Sequence, residues 1–238
     1  MIVERLEVTP PLADRDESVW PLSVPAIRHV AEKGLTFTSD LVVLVGGNGS
    51  GKSTLLEGIA EAYGLDVRGG HGGRKYSSAL DKSPLGESLR LHRGALGFTG
   101  RNAAGFFLRA ETAHGMLSYM TEVGVSGYGE RRTEEVSHGE SYLGAITGRF
   151  NGPGLFLLDE AEGPLSFHST LALLNRLREL VTTQTAQVIY STHSPLVAAL
   201  PGAQILELTE DGIEEQEWAD LDTVRLWQTF LRNPGRMF

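Results

Sequence analysis

Residues 41–54 read LVVLVGGNGSGKST, an unbroken apolar run that passes through a glycine-rich stretch into Gly51-Lys52-Ser53-Thr54. Consecutive apolar residues with no polar alternation suit a strand buried on both faces. Beyond Gly51 the pattern changes period, and Leu55, Leu56, Ile59, Ala60 and Tyr63 fall on one stripe of a helix over 51–63. Gly46, Gly47, Asn48, Gly49, Ser50, Gly51, Lys52, Ser53 and Thr54 together satisfy G-x-x-x-x-G-K-[ST]. The glycines let the backbone turn tightly and aim its N–H groups inward, and the helix N-terminus adds partial positive charge behind them. Strand, loop and helix in that order therefore predict a cradle for a phosphate chain. Lys52 would reach the β- and γ-phosphates of a nucleotide, and the Ser53 hydroxyl would ligate magnesium.

The rest of the chain repeats the alternation of short apolar runs with helical stretches. Residues 2–8 alternate as an opening strand with Ile2, Glu4, Leu6 and Val8 on one face. Pro10, Pro11, Pro21 and Pro25 break up the connection that follows. Strands are expected at 106–108, 155–158, 187–191 and 204–208. Helices are expected at 138–149 and at 169–182, the second with an amphipathic stripe through Leu171, Leu174, Leu177 or Arg178, and Val181. Between 66 and 104 the periodicity dissolves into Gly, Ser, Arg and Lys, and long loops or poor order are expected. Such an order predicts an α/β fold with a mostly parallel sheet. At 238 residues the chain is one large domain on a prior of roughly 100–200 residues per domain. We draw a nucleotide-binding core at 1–65 and 151–238 and a loop-rich, helical lobe at about 66–150.

Composition narrows the function classes. A net charge of −9 disfavours a bulk cationic nucleic-acid binder, although residues 61–110 hold eight Lys/Arg against four acids. With no cysteine there are no disulfides and no thiolate metal sites. No stretch approaches the roughly 18 apolar residues of a membrane span, and the acidic N-terminal stretch lacks the pattern of a secretory signal. A soluble, cytoplasmic protein is expected. The eight acids and no bases of 207–222 read as a solvated face.

Three further elements carry chemistry. Leu155 to Leu158 run into Asp159-Glu160, an apolar strand ending in two carboxylates. Asp159 can help hold magnesium through water, and Glu160 can polarise the water that attacks a γ-phosphate. Val188 to Ser191 run into Thr192-His193-Ser194-Pro195, where His193 can donate to the γ-phosphate or orient that water. Ser137-His138-Gly139-Glu140 opens the 138–149 helix as a second anion cradle remote from the first. Guanine-reading proteins use an Asn-Lys-x-Asp element; here no asparagine precedes a lysine, so ATP is expected over GTP.

In this order the motifs resemble the ABC-type ATPase domain, a P-loop NTPase. The segments GNGSGKSTLLEGIA, GFFLRAET, SHGESYLGAI, LFLLDEAEGPLS and STHSPLVAALPGAQI look closest to stand-alone ATPases related to the heads of structural-maintenance-of-chromosomes and recombination-repair proteins. The resemblance implies an N-terminal antiparallel β portion beside the parallel core, and a helical and loop insertion. It further implies a magnesium-dependent ATP hydrolase forming a head-to-tail homodimer, with Ser137, Gly139 and Glu140 of one chain closing over ATP held by Lys52 of the other. The sequence departs from the ABC pattern in three places. No glutamine occurs between 53 and 160, and Glu111 is the candidate for the missing metal contact; the signature is SHGES rather than LSGGQ; and Ala161 and Gly163 follow the acid pair in place of the residues of DEPEAALS. Trp20 is either an adenine platform or a core residue. The leading expectation is a soluble, ATP-driven switch or motor on an unidentified protein or nucleic-acid partner. The alternatives are the ATP-binding subunit of an ABC transporter, a DNA-repair or defence-associated ATPase, and a phosphate-loop kinase.

Overall fold

A computed structural model describes residues 1–67, 69–71, 83–95, 104–110, 143–144, 148, 150–183 and 185–238. Its strands are β1 (Val3–Val8), β2 (Leu35–Thr36), β3 (Leu41–Gly46), β4 (Gly70–His71), β5 (Leu89–Arg93), β6 (Gly105–Arg109), β7 (Gly154–Asp159), β8 (Ala186–Thr192), β9 (Gln204–Thr209) and β10 (Gly212–Glu215). The helices are α1 (Pro25–Lys33), α2 (Lys52–Tyr63), α3 (Pro84–Ser88), α4 (Phe167–Thr183), α5 (Pro195–Ala198) and α6 (Asp222–Arg232).

The main sheet has the order β10-β9-β3-β8-β7-β6-β4. Its five inner strands, β9, β3, β8, β7 and β6, run parallel, and the edge strands β10 and β4 are antiparallel. The α/β fold with a mostly parallel sheet is the one expected. Both faces of the inner strands are covered, which is why they read as continuous apolar runs. In β3, Val42 and Leu44 face one core with α1, α2 and the small sheet, while Leu41, Val43 and Val45 face the other with α4, α5 and α6. An antiparallel sheet, β2-β1-β5, forms the expected N-terminal β portion. Gln187 of β8 joins the two sheets: its Oε1 accepts the N–H groups of Ile2 (3.1 Å) and Val3 (2.7 Å), and its Nε2 donates to the Val3 carbonyl at 2.8 Å.

Four expectations need correction. The register of β1 against β5 shifts between Val3 and Arg5, so Val3 is buried beside Ile2 and Glu4 is exposed. A bulge breaks the period-2 alternation there. Within 66–104, residues 84–93 are not loop: Ser83 caps α3 by accepting the Gly86 N–H, Pro84 takes the first helical position, and β5 pairs with β1. Consequently β5 and β6 of the expected lobe belong to the two sheets of the core. The stripe of α4 is rotated from the one expected. Thr170, Leu173, Leu174, Leu177 and Leu180 are its buried residues, and Leu171 is exposed. Finally, Trp20 is 52% exposed and does not pack in a core. The 138–149 helix lies largely outside the described residues. The acidic 207–222 segment is exposed at Glu210, Asp211, Glu214, Glu215, Glu217, Asp220 and Asp222, a solvated face as read.

Candidate nucleotide-binding site

The carboxyl ends of β3, β8 and β7 lie side by side, and each delivers one of the motifs. After β3 the chain turns through Gly49 (φ 79°) and Gly51 (φ 97°) into α2. Gly51 is constrained twice. Its φ lies in the left-handed region, and a Cβ there would come within 2.4 Å of Val24 Cγ1. Lys52 opens the helix with only 4% of its surface exposed, and its ammonium donates to the carbonyls of Gly46 (2.9 Å) and Gly47 (3.1 Å). Ser50 sits inside the loop, donating its N–H to the Gly47 carbonyl at 3.2 Å. A cleft of about 220 Å³ opens above it, lined by Val24, Asn48, Gly49, Gly51, Lys52, Ser53, Thr54, Glu160 and His193.

Strand order explains which side chains meet. Because β8 lies between β3 and β7, His193 beyond its end stands between the phosphate loop and the acid pair. Its Nε2 is 3.0 Å from Lys52 Nζ and 2.9 Å from Glu160 Oε1. The two contacts ask opposite things of one nitrogen: a lone pair to accept from the ammonium, and a proton to give to the carboxylate. His193 is thus the pivot of the cleft. Burial pulls the Lys52 pKa below 10.5, against the opposing pull of the Glu160 and Asp159 carboxylates.

Asp159 is buried, and its Oδ1 accepts from Ser53 Oγ at 3.2 Å and from Ser191 Oγ. A hydroxyl and a carboxylate facing each other at the floor of a phosphate cradle suit a magnesium ion, a hard cation taking oxygen ligands. Among the described residues no cluster of three His, Cys, Asp or Glu side chains converges on a metal position. That donor set fits an ion sharing its shell with water and phosphate oxygens rather than one caged by protein.

The sequence reading missed the charged group beside Asp159. Arg109 ends β6 opposite Asp159 in register, with Nη1 2.5 Å from Glu57 Oε1 and Nε 3.8 Å from Asp159 Oδ2. Burial raises the Glu57 pKa above 4.5, and Arg109 opposes the rise. A polar residue closing an apolar strand was the available signal, but its partner lies 50 residues away on a neighbouring strand, where spacing says nothing. Glu160, the other half of the acid pair, has a φ of 51°, a left-handed conformation costing a non-glycine residue about 1–2 kcal/mol. Glu111, Ser137, Gly139 and Glu140 lie outside the described residues. Trp20 is not among the residues that line the cleft.

This chain is 30% identical over 182 residues to the lipoprotein-releasing system ATP-binding protein LolD of Pseudomonas syringae pv. tomato, a match spanning 66% of this chain and 76% of that protein. The chain belongs to the ABC family of P-loop ATPases. Other ABC relatives include the cytochrome c biogenesis ATP-binding export protein CcmA 1 of Salmonella typhimurium, 29% identical over 76% of this chain and 90% of the relative. The aliphatic sulfonates import ATP-binding protein SsuB 2 of Rhodococcus jostii is 30% identical over 77% and 73%. Among solved structures, a chain of an inward-facing metal-chelate type ABC transporter shares the fold, with a TM-score of 0.50, 13% identity and coverage of 98% of this chain and 90% of that one. No protein-family model matches the chain. The ABC class expected from the sequence therefore stands. The nearer relation to chromosome-maintenance and recombination-repair heads gains no support from these relatives, which are named as transport-system subunits. Among the described residues no helix is long and apolar enough to cross a membrane.

Proposed function

We propose that the cleft binds ATP with magnesium and hydrolyses it, and that the chain serves as the ATP-binding subunit of an ABC transport complex. The convergence of Lys52, His193 and Glu160 carries the catalytic half of this reading. The names of the relatives support the transport half. Lys52, freed from the Gly46 and Gly47 carbonyls, turns its ammonium to the β- and γ-phosphates, while the Gly46–Gly51 backbone wraps the chain of phosphates. Ser53 and Asp159 hold the magnesium, with Glu111 as a further contact. When bound, the ion neutralises charge on the phosphate oxygens. Glu160 takes a proton from the attacking water, and His193 contacts the γ-phosphate and keeps Glu160 in place. Ser137, Gly139 and Glu140 of a second copy close over the γ-phosphate, so that ATP joins two chains. Such a subunit works at the cytoplasmic side of a membrane without crossing it.

A second reading, a soluble switch on an unidentified protein or nucleic-acid partner, is favoured by the absence of glutamine between 53 and 160 and by His138 in the signature. Glu160→Gln tests the chemistry. Hydrolysis should fall by roughly 10²–10⁴-fold, the range of a general base, with ATP affinity retained. Hydrolysis at near the wild-type rate would move the base elsewhere. The same variant, trapped with ATP, separates the two readings: recovery with an integral membrane protein supports transport, and recovery with soluble protein or DNA supports the switch.

A further inference from the structure

We infer that Glu162 is a positioning residue that sets the catalytic geometry of both Glu160 and His193 while touching neither nucleotide nor metal; this rests on the reading of Glu160 as the base. Alternation along β8 divides its last residues between two faces. Ser191 points toward the phosphate-loop side and donates to Asp159, whereas Tyr190 and Thr192 point to the opposite face. There both meet the carboxylate of Glu162. Tyr190 Oη donates to Oε2 at 2.8 Å, and Thr192 Oγ1 donates to Oε1. The Thr192 hydroxyl also accepts the Ser194 N–H at 2.8 Å, so the two residues flanking His193 are tied to one oxygen. One carboxylate thereby fixes the backbone from which His193 projects.

The same side chain holds the turn that carries Glu160. That turn places Glu160 at a φ of 51°, which only a surrounding structure that over-determines it can maintain. Backbone bonds supply part of the restraint: the Glu160 N–H donates to the Ser191 carbonyl at 3.1 Å, and its carbonyl accepts the Gly163 N–H at 3.0 Å. Glu162, between those two anchors, adds the side-chain tie to the far face of β8. Because Ala161 and Gly163 on either side bring no functional group, Glu162 is the only residue of this turn's Ala161–Gly163 segment whose side chain can make it. Loss of that tie leaves the Glu160 and His193 carriers joined by the backbone bond to Ser191 and the direct His193–Glu160 contact, without the brace on the far face. Misplacement by an ångström can cost on the order of 10²-fold in rate.

The test is a double-mutant cycle read in single-turnover hydrolysis and in ATP affinity. Glu162→Ala should lower the hydrolysis rate by about 10–100-fold with ATP affinity changed less than about twofold, since the phosphate loop lies on the other face. Glu162→Gln, able to bond both hydroxyls, should recover most of the rate. In a Glu160→Gln background, Glu162→Ala should cost much less than in the wild type, because one of the two groups it positions has gone and only the His193 share remains. An equal loss in both backgrounds, a parallel loss of ATP affinity, or an unchanged rate in Glu162→Ala overturns the inference. Should Glu162→Ala fail to fold, Tyr190→Phe combined with Thr192→Val removes the same two donors at nearly constant volume, and the same expectations apply. Near wild-type hydrolysis by Glu160→Gln alone would instead refute the base assignment, a separate failure.

Discussion

Lys52 illustrates how a residue can be wrong for the core and right for the site. The residue has only 4% of its surface exposed, and burial lowers its pKa from 10.5. Two carbonyls and one imidazole contact its ammonium directly, and the Glu160 and Asp159 carboxylates oppose the fall from a greater distance. A phosphate chain would bring negative charge into direct contact with the ammonium, so Lys52→Ala should abolish ATP binding while the thermal unfolding transition persists. Equilibrium ATP binding followed beside calorimetry checks both, and unchanged affinity would remove the phosphate-loop assignment. The residue types of this cluster were all legible in the sequence. Their mutual distances were not, because they follow from strand order: residues 52, 160 and 193 meet only because β8 is inserted between β3 and β7.

Among the elements, α4 shows how a helix can be read correctly and oriented incorrectly. Its limits, Phe167–Thr183, enclose the expected 169–182, but the buried stripe runs through Leu173, Leu177 and Leu180 with Leu171 outside. Leucine occurs at 171, 173, 174, 177 and 180, and two stripes one residue apart fit it nearly as well. Docking against the sheet chose between them. Leu173→Ala should therefore cost about 2–5 kcal/mol of stability, the range for a buried leucine, and Leu171→Ala within about 0.5 kcal/mol. Urea unfolding of the two variants compares them directly. A second element, α1, is tied to β10 where His29 Nδ1 accepts the Ile213 N–H at 3.2 Å. Burial, with Lys33 nearby, lowers the His29 pKa below 6.5. The unfolded chain then takes up its proton first on acidification. The stabilising contribution is present above pH 6.5 and is lost as pH falls through the lowered folded-state value. His29→Asn keeps an acceptor without a titratable ring. Urea midpoints at pH 7.5 and pH 5 should converge in that variant relative to wild type; equal pH sensitivity in both proteins would dismiss the His29 linkage.

For the whole molecule, the expectation concerns association. If ATP is held between the phosphate loop of one chain and Ser137, Gly139 and Glu140 of another, it binds the dimer better than the monomer and shifts the equilibrium toward it. The Glu160→Gln protein should sediment as a dimer in Mg-ATP and as a monomer without nucleotide. Adding Ser137→Arg should prevent the dimer by crowding the cradle. A single monomeric mass in both conditions would leave the signature without that role. At this scale the division between sequence and fold is plain. The phosphate loop, the acid pair, the strand-end histidine and the α/β alternation were legible because each is local: turn chemistry, helix periodicity and burial on two faces leave marks within a few residues. The bulge in β1, the pairing of β5 with β1, the face of α4, Arg109 against Asp159, and Glu162 under Tyr190 and Thr192 were decided by tertiary structure alone. Each depends on which strand lies beside which, and that is set by packing two cores on a single sheet, to which residues far apart in the chain contribute together.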